Sequence, residues 1–178
     1  MDIVDTGISG LLLIKPKVYS DDRGFFFESY NCDRFCEAVG DDISFVQDNH
    51  SRSSRNVLRG LHYQRSPHEQ GKLVRVVSGE VFDVAVDMRR DSPTLGRWFG
   101  VHLSGENNHQ LWIPPGFAHG FLVLSENADF LYKTTGYWNS AAEGSIRWNS
   151  PKLAIKWPLT GEPIVSHKDA AAPLFDSV

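Results

Sequence analysis

The chain is made of short apolar runs, each soon cut off by glycine, proline, asparagine or aspartate. Residues 11–14 are stopped by Pro16, and residues 25–28 are opened by the turn-like Asp21-Asp22-Arg23-Gly24. Residues 72–77 and 81–88 flank Ser78-Gly79, which reads as a hairpin turn. Residues 98–103, 110–113, 121–124 and 130–135 continue the series, separated by Ser92-Pro93, Gly105-Glu-Asn-Asn108 and Pro114-Pro115-Gly116. Only two helices are expected. One runs over residues 33–39, with Phe35, Cys36 and Val39 on one face and Gly40 as its stop; a second follows Ser166 through Lys168 to Ala172. Many short strands with few helices predict an all-β fold, an antiparallel barrel or jelly roll, in one domain over residues 1–178. Inward and outward positions alternate along each strand of such a barrel, and a ligand sits in its mouth.

That expectation gives meaning to the polar stretch Phe45-Val-Gln-Asp-Asn-His-Ser-Arg52 and the following Leu58-Arg-Gly-Leu-His62-Tyr-Gln64. Polar and charged side chains on strand positions are costly unless they line a wet pocket, so this density points to a site. His62 is the first candidate, because imidazole titrates near neutrality and serves as a general base. A carboxylate on its other ring nitrogen would fix the tautomer, and Asp83 and Asp169 both qualify. Lys72, at the start of an apolar strand, would be a fixed cation facing a developing oxyanion. Alternation places Phe130, Tyr132 and Thr134 on one face, where the Tyr132 phenol could give a proton to a carbanion. Arg23, Arg59 and Lys168 together could clamp a diphosphate. A metal reading would use His62, Glu69 and His119, but Gln64 stands where a second imidazole is needed, which makes a poor ligand set. His119 reads instead as a hydrogen-bond donor to substrate.

Other classes are excluded. A net charge of −4 leaves no footprint for nucleic acid. There is no apolar run of about 18 residues to span a membrane, and no basic leader is visible. The only cysteines, Cys32 and Cys36, sit at helical spacing and form no disulfide framework, which fits a reduced cytoplasmic chain. P-loop, dinucleotide-binding and nucleophile-elbow motifs are missing.

Several stretches, in order across nearly the whole chain, resemble the dTDP-4-dehydrorhamnose 3,5-epimerase family. They are Asp22-Arg-Gly-Phe-Phe, Phe45-Val-Gln-Asp-Asn-His-Ser, Leu58-Arg-Gly-Leu-His, Gln70-Gly-Lys-Leu-Val, Gly79-Glu-Val-Phe-Asp-Val-Ala-Val-Asp, Trp112-Ile-Pro-Pro-Gly-Phe-Ala-His-Gly-Phe, Phe130-Leu-Tyr-Lys-Thr-Thr, Glu143-Gly-Ser-Ile-Arg-Trp and Ser166-His-Lys-Asp. The resemblance implies a cupin-type jelly roll, a homodimer, and an epimerase of a dTDP-sugar that needs neither metal nor other cofactor. It implies His62 as base, Asp169 as its orienting partner, Tyr132 as acid and Lys72 at the enolate oxygen. It places Arg23, Glu28, Gln47, Asp48, Asn49, Arg59, His119, Glu143 and Lys168 around the nucleotide sugar, with Arg23 and Glu28 reaching into the partner subunit. The patch Tyr137-Trp138-Asn-Ser-Ala-Ala departs from the family pattern. Epimerisation at carbon 3 alone, ketoisomerisation, and a metal-dependent cupin reaction are the rival expectations.

Overall fold

Two antiparallel sheets face each other in the computed structural model, which describes residues 1–177. One has six strands in the order β1 (Asp2–Asp5), β2 (Leu12–Lys15), β10 (Gln110–Ile113), β7 (Lys72–Ser78), β12 (Asn127–Thr134) and β5 (Gln47–Ser54). The other has five: β13 (Glu143–Ser145), β6 (Leu58–Gln64), β11 (Phe117–Val123), β8 (Glu80–Asp87) and β9 (Trp98–Ser104). A separate hairpin joins β3 (Tyr19–Asp21) to β4 (Gly24–Phe26). The result is the expected antiparallel jelly roll of cupin type with short peripheral helices.

One expectation is corrected. Residues 72–77 and 81–88 do form strands, but they do not pair with each other. β7 lies between β10 and β12, and β8 between β11 and β9, so the chain changes sheets at Gly79. Local turn chemistry marks a reversal of direction but not the strand that becomes the neighbour. Gly79 has φ +79°, and an added Cβ would lie 2.0 Å from the Asn127 carbonyl oxygen, so the corner requires glycine.

Three apolar layers result. Between the sheets, Leu13, Val74, Val76, Leu111 and Phe130 meet Val81, Ala85, Leu103, Phe121 and Val123. Phe121 and Phe130 stack across the gap with ring centroids 4.2 Å apart. Outside the five-stranded sheet, Val84 and Val86 are covered by Ile146, Leu153 and Trp157 of the C-terminal segment. Both faces of β8 are thereby buried, including Asp83 and Asp87. Outside the six-stranded sheet, Ile14, Leu73 and Trp112 are covered by α1 (Cys32–Val39) through Phe35. α1 matches the expected helix to within one residue. Asn31 caps its first turn by accepting from the Arg34 N–H, and Gly40 ends it in the left-handed region.

β5 contains no large apolar residue, yet it forms eight residues of regular strand against β12. Its burial alternates along its length, with Gln47 and Asn49 turned inward and Asp48 and His50 outward. The C-terminal segment returns along β6. Ile164 bridges Val57, and the Leu58 N–H donates to the Ile164 carbonyl at 2.9 Å. Ser166 then caps α2 (His167–Ala170), accepting from the Asp169 N–H at 3.1 Å. This return carries Asp169 to the middle of β6.

Candidate active site

A chamber of about 370 Å³ opens between the two sheets at the end where β5, β6, β7, β12 and β13 converge. Gln47, Asn49, Lys72, Tyr132 and Thr134 line it from the six-stranded sheet, and His62, Gln64 and Glu143 from the five-stranded one. A recess of about 400 Å³ adjoins it, lined by Arg59, Lys168 and Asp169. His62 and Glu143 belong to both spaces.

The choice between two aspartates for His62 is resolved by geometry. His62 Nε2 lies 2.6 Å from Asp169 Oδ1, and Asp169 Oδ2 accepts from the Gly60 N–H at 3.3 Å. Asp83 pairs instead with His119, whose Nε2 is 2.8 Å from its Oδ2. Burial pushes the Asp169 carboxyl up. The hydrogen bonds from His62 and Gly60 outweigh it and hold the group below the usual carboxylate range. Asp169 is therefore an ionised acceptor for the His62 Nε2–H, and His62 Nδ1 has no partner among the described residues.

Lys72 makes no ion pair among the described residues. Burial lowers its ammonium to about 8, against the opposing pull of Asp83 and Glu143. The Tyr132 phenol is pushed up by burial, which outweighs the opposing pull of Arg59, and Glu143 adds a lesser upward push. It holds its proton at neutral pH. In the recess, Lys168 Nζ contacts Glu143 Oε2 at 2.6 Å, and Arg59 Nε donates to Ser53 Oγ at 3.0 Å.

Not every residue expected at the site is brought there. Arg23 projects from the tip of the β3–β4 hairpin, 90% exposed and bound to Asp21, and Glu28 pairs with Arg34 beside α1. Neither lines the chamber of its own chain. Asp48 is corrected: strand alternation turns it to the opposite face of the sheet from Gln47 and Asn49, where it pairs with Lys133 at 2.9 Å. His119 is placed opposite His62 in the β11–β6 register but lies below the chamber. Its Nε2 is committed to Asp83, and its ring stacks near Phe130. Asp83 is fully buried and its Oδ1 has no partner among the described residues. Glu69 lies on a separate groove, away from both histidines. Among the described residues no three His, Cys, Asp or Glu side chains converge as metal ligands.

Gln64, Gln70, Thr134 and Trp138 also line the chamber and were not singled out by sequence as binding residues. The signal for Gln64 was available. It lies two residues beyond His62 on the same strand, hence on the same face. Gln70 and Trp138 lie outside the strands, where no periodicity points to them.

The family model for dTDP-4-dehydrorhamnose 3,5-epimerase matches residues 5–177. The enzyme of that name from Salmonella typhimurium is 59% identical over 99% of this chain and 96% of its own length. Its counterpart from Pseudomonas aeruginosa is 61% identical over 94% of this chain and 92% of its own. A crystal structure of dTDP-6-deoxy-D-glucose-3,5-epimerase from Legionella pneumophila, in complex with dTDP-4-keto-L-rhamnose, superposes with a TM-score of 0.96. It shares 56% identity and covers 99% of this chain and 94% of that one. With a family model matched over residues 5–177 and relatives 59% and 61% identical over nearly the whole chain, the chain belongs to the dTDP-4-dehydrorhamnose 3,5-epimerase family.

Proposed function

We propose that the whole chain acts as one domain that epimerises carbons 3 and 5 of dTDP-4-keto-6-deoxy-D-glucose, giving dTDP-4-keto-L-rhamnose. The observation that carries this reading is the placement of His62 and Tyr132 on opposite sheets around one chamber. Inverting a carbon requires a proton to leave one ring face and another to arrive at the opposite face.

The ketone at carbon 4 acidifies the protons at carbons 3 and 5. His62 Nδ1 takes one of them, and the imidazolium formed is stabilised by Asp169 at 2.6 Å. The electron pair moves onto the carbon-4 oxygen as an enolate, which the unpaired Lys72 ammonium faces. Tyr132 returns a proton from the other side; His62 then releases its proton to solvent, Tyr132 regains one from solvent, and repetition at the second carbon completes the product. Arg59 and Lys168 hold the diphosphate in the recess, where guanidinium and ammonium groups meet phosphate oxygens. Gln47, Asn49 and Glu143 bind the sugar and nucleoside.

The active unit is a homodimer. On the β3–β4 hairpin, the cross-strand pair Tyr19 and Phe26 is 56% and 71% exposed on one face and Phe25 is 60% exposed on the other, an aromatic exposure unusual for an isolated protein surface. Covering this hairpin with a second copy would carry Arg23 and Glu28 to the partner's ligand. Cys32 and Cys36, both free thiols, fit a reducing cytoplasm. No helix among the described residues is long and apolar enough to cross a membrane.

The test is incubation with the 4-keto sugar nucleotide in heavy water, followed by NMR. Deuterium at carbons 3 and 5 together with the L-configured product is expected. Exchange confined to carbon 3 would overturn the double inversion, and no exchange would overturn the reaction. Phe26→Asp is expected to turn a species of twice the chain mass into one of single mass in light scattering. A wild-type monomer would refute the dimer.

A further inference from the structure

Residues 136–142 form a strap beside the mouth of the chamber, and Trp138 from it lines the chamber while staying 58% exposed. The attachment of this strap is unusual in chemistry. Three glutamines from separate parts of the fold hold its backbone. Gln70 Nε2 donates to the Gly136 carbonyl at 2.6 Å. Gln47 Oε1 accepts from the Trp138 N–H at 3.4 Å, and Gln64 Oε1 accepts from the Asn139 N–H at 3.0 Å. Among the three, Gln64 has the strongest claim to couple the strap to the chemistry. It is 7% exposed, shares a strand and a face with His62, and stands opposite Glu143 in the β6–β13 register.

We propose that Gln64 is a positioning residue: its amide oxygen ties the strap to the strand bearing His62 and so fixes the chamber wall that Trp138 supplies. The physical argument runs from satisfaction of polar groups. The Asn139 N–H finds its partner in a nearly buried side chain, and such a donor left unpaired is penalised by desolvation. Gln64 Nε2 has no protein partner among the described residues and is not sealed from solvent, so it remains a donor for a ligand in the chamber. One amide thereby touches both the strap and the space that the substrate fills. The ties that the three glutamines make are uncharged, so the strap is held without any ionised group placed among Lys72, Glu143 and the substrate's phosphates.

The significance of the strap for substrate affinity rests on the reading of the chamber given above; its attachment does not. Two variants separate the parts. Gln64→Met keeps the volume and loses the acceptor. Gln64→Glu keeps an oxygen for the Asn139 N–H and loses the free donors. Chymotrypsin, which cuts after aromatic residues, reports strap opening at Tyr137 and Trp138. Gln64→Met is expected to be cleaved there about two- to twelvefold faster than wild type, the range for one lost neutral hydrogen bond. Gln64→Glu is expected to restore wild-type protection. In the epimerase assay, Gln64→Met is expected to raise KM about five- to tenfold while kcat stays within about twofold. Wild-type cleavage of Gln64→Met would overturn the proposal, as would a fall in kcat at unchanged KM. Cuts spread along the chain would mean lost folding, and Gln64→Asn, too short by one methylene to reach Asn139, then carries the same expectations and the same refuting outcomes. If the wild-type protein has no epimerase activity, the cleavage comparison still decides the attachment, so the two failures are told apart.

Discussion

Replacing Asp169 by asparagine is the sharpest test of the site, because the geometry leaves the new side chain no good arrangement. Asp169 is 3% exposed, and its two oxygens serve two different donors, His62 Nε2 at 2.6 Å and the Gly60 N–H at 3.3 Å. An asparagine has one acceptor and one donor end. If its oxygen serves His62, its NH₂ group faces the Gly60 N–H, donor against donor. If it turns to satisfy Gly60, its NH₂ group donates to His62 Nε2. That places the imidazole proton on Nδ1 and removes the basic lone pair from the chamber. In both cases the imidazolium loses the carboxylate counter-charge when it forms. The combined loss of tautomer and charge is about 3 to 5 kcal/mol, which at 1.36 kcal/mol per tenfold is roughly 10²- to 10⁴-fold in kcat/KM. The assay is NMR in heavy water, reading deuterium uptake at carbons 3 and 5, with near-ultraviolet circular dichroism and dTDP binding as controls for the fold. Exchange within about tenfold of wild type, in a folded and dTDP-binding variant, would refute the His62–Asp169 assignment.

Other expectations follow from the same geometry. Lys72 has a folded pKa lowered to about 8, so its charge is present below that pH and lost as pH rises through it. The kcat/KM is expected to fall above about pH 8, and Lys72→Arg should remove that alkaline limb while lowering activity. An unchanged limb would assign it to another group. Tyr132→Phe removes the proton donor and leaves the base, so inversion at carbon 5 should fall more than deuterium exchange; equal losses would exclude Tyr132 as a dedicated acid. Trp112 is 1% exposed, with edge-to-face contacts at 5.2 Å to Phe35 and 6.0 Å to Phe45. Trp112→Ala should lose about 3 to 5 kcal/mol in urea unfolding, and a loss under about 1 kcal/mol would contradict its place at the centre of that layer.

The sequence revealed the fold class through its punctuation. Frequent glycine, proline and asparagine breaks limit every element to a few turns or one strand; α1 is bounded by its caps and α2 begins after its Ser166 cap, but α2 ends at Ala170, short of the expected Ala172, where no glycine marks a stop. β5 escaped because Gln-Asp-Asn-His-Ser-Arg-Ser-Ser has no alternation of apolar and polar residues to detect; its alternation is between chamber and solvent. The Gly79 corner escaped because a turn signal is local and strand pairing is not. At the site, single residues such as His62 and Tyr132 were legible as chemistry on strand positions. Which aspartate serves which histidine was not, because Asp169 is 107 positions from His62 along the chain and Asp83 is 36 from His119. Side-chain direction explains Asp48: a residue in a dense polar stretch has an even chance of turning away from the site, and the pleat decides.

The stacked Phe121 and Phe130 act as a spacer with consequences beyond stability. Phe130 lies two residues from Tyr132 on one sheet, and Phe121 lies two from His119, the cross-strand neighbour of His62, on the other. Their 4.2 Å stack therefore helps set the gap between the two sheets below Tyr132 and His62, as the jaws of a caliper are set by their stop. A buried ring exchanged for a larger or smaller one would change the gap across which Tyr132 and His62 face the chamber. The width of the chamber is thus open to tuning from residues that do not line it.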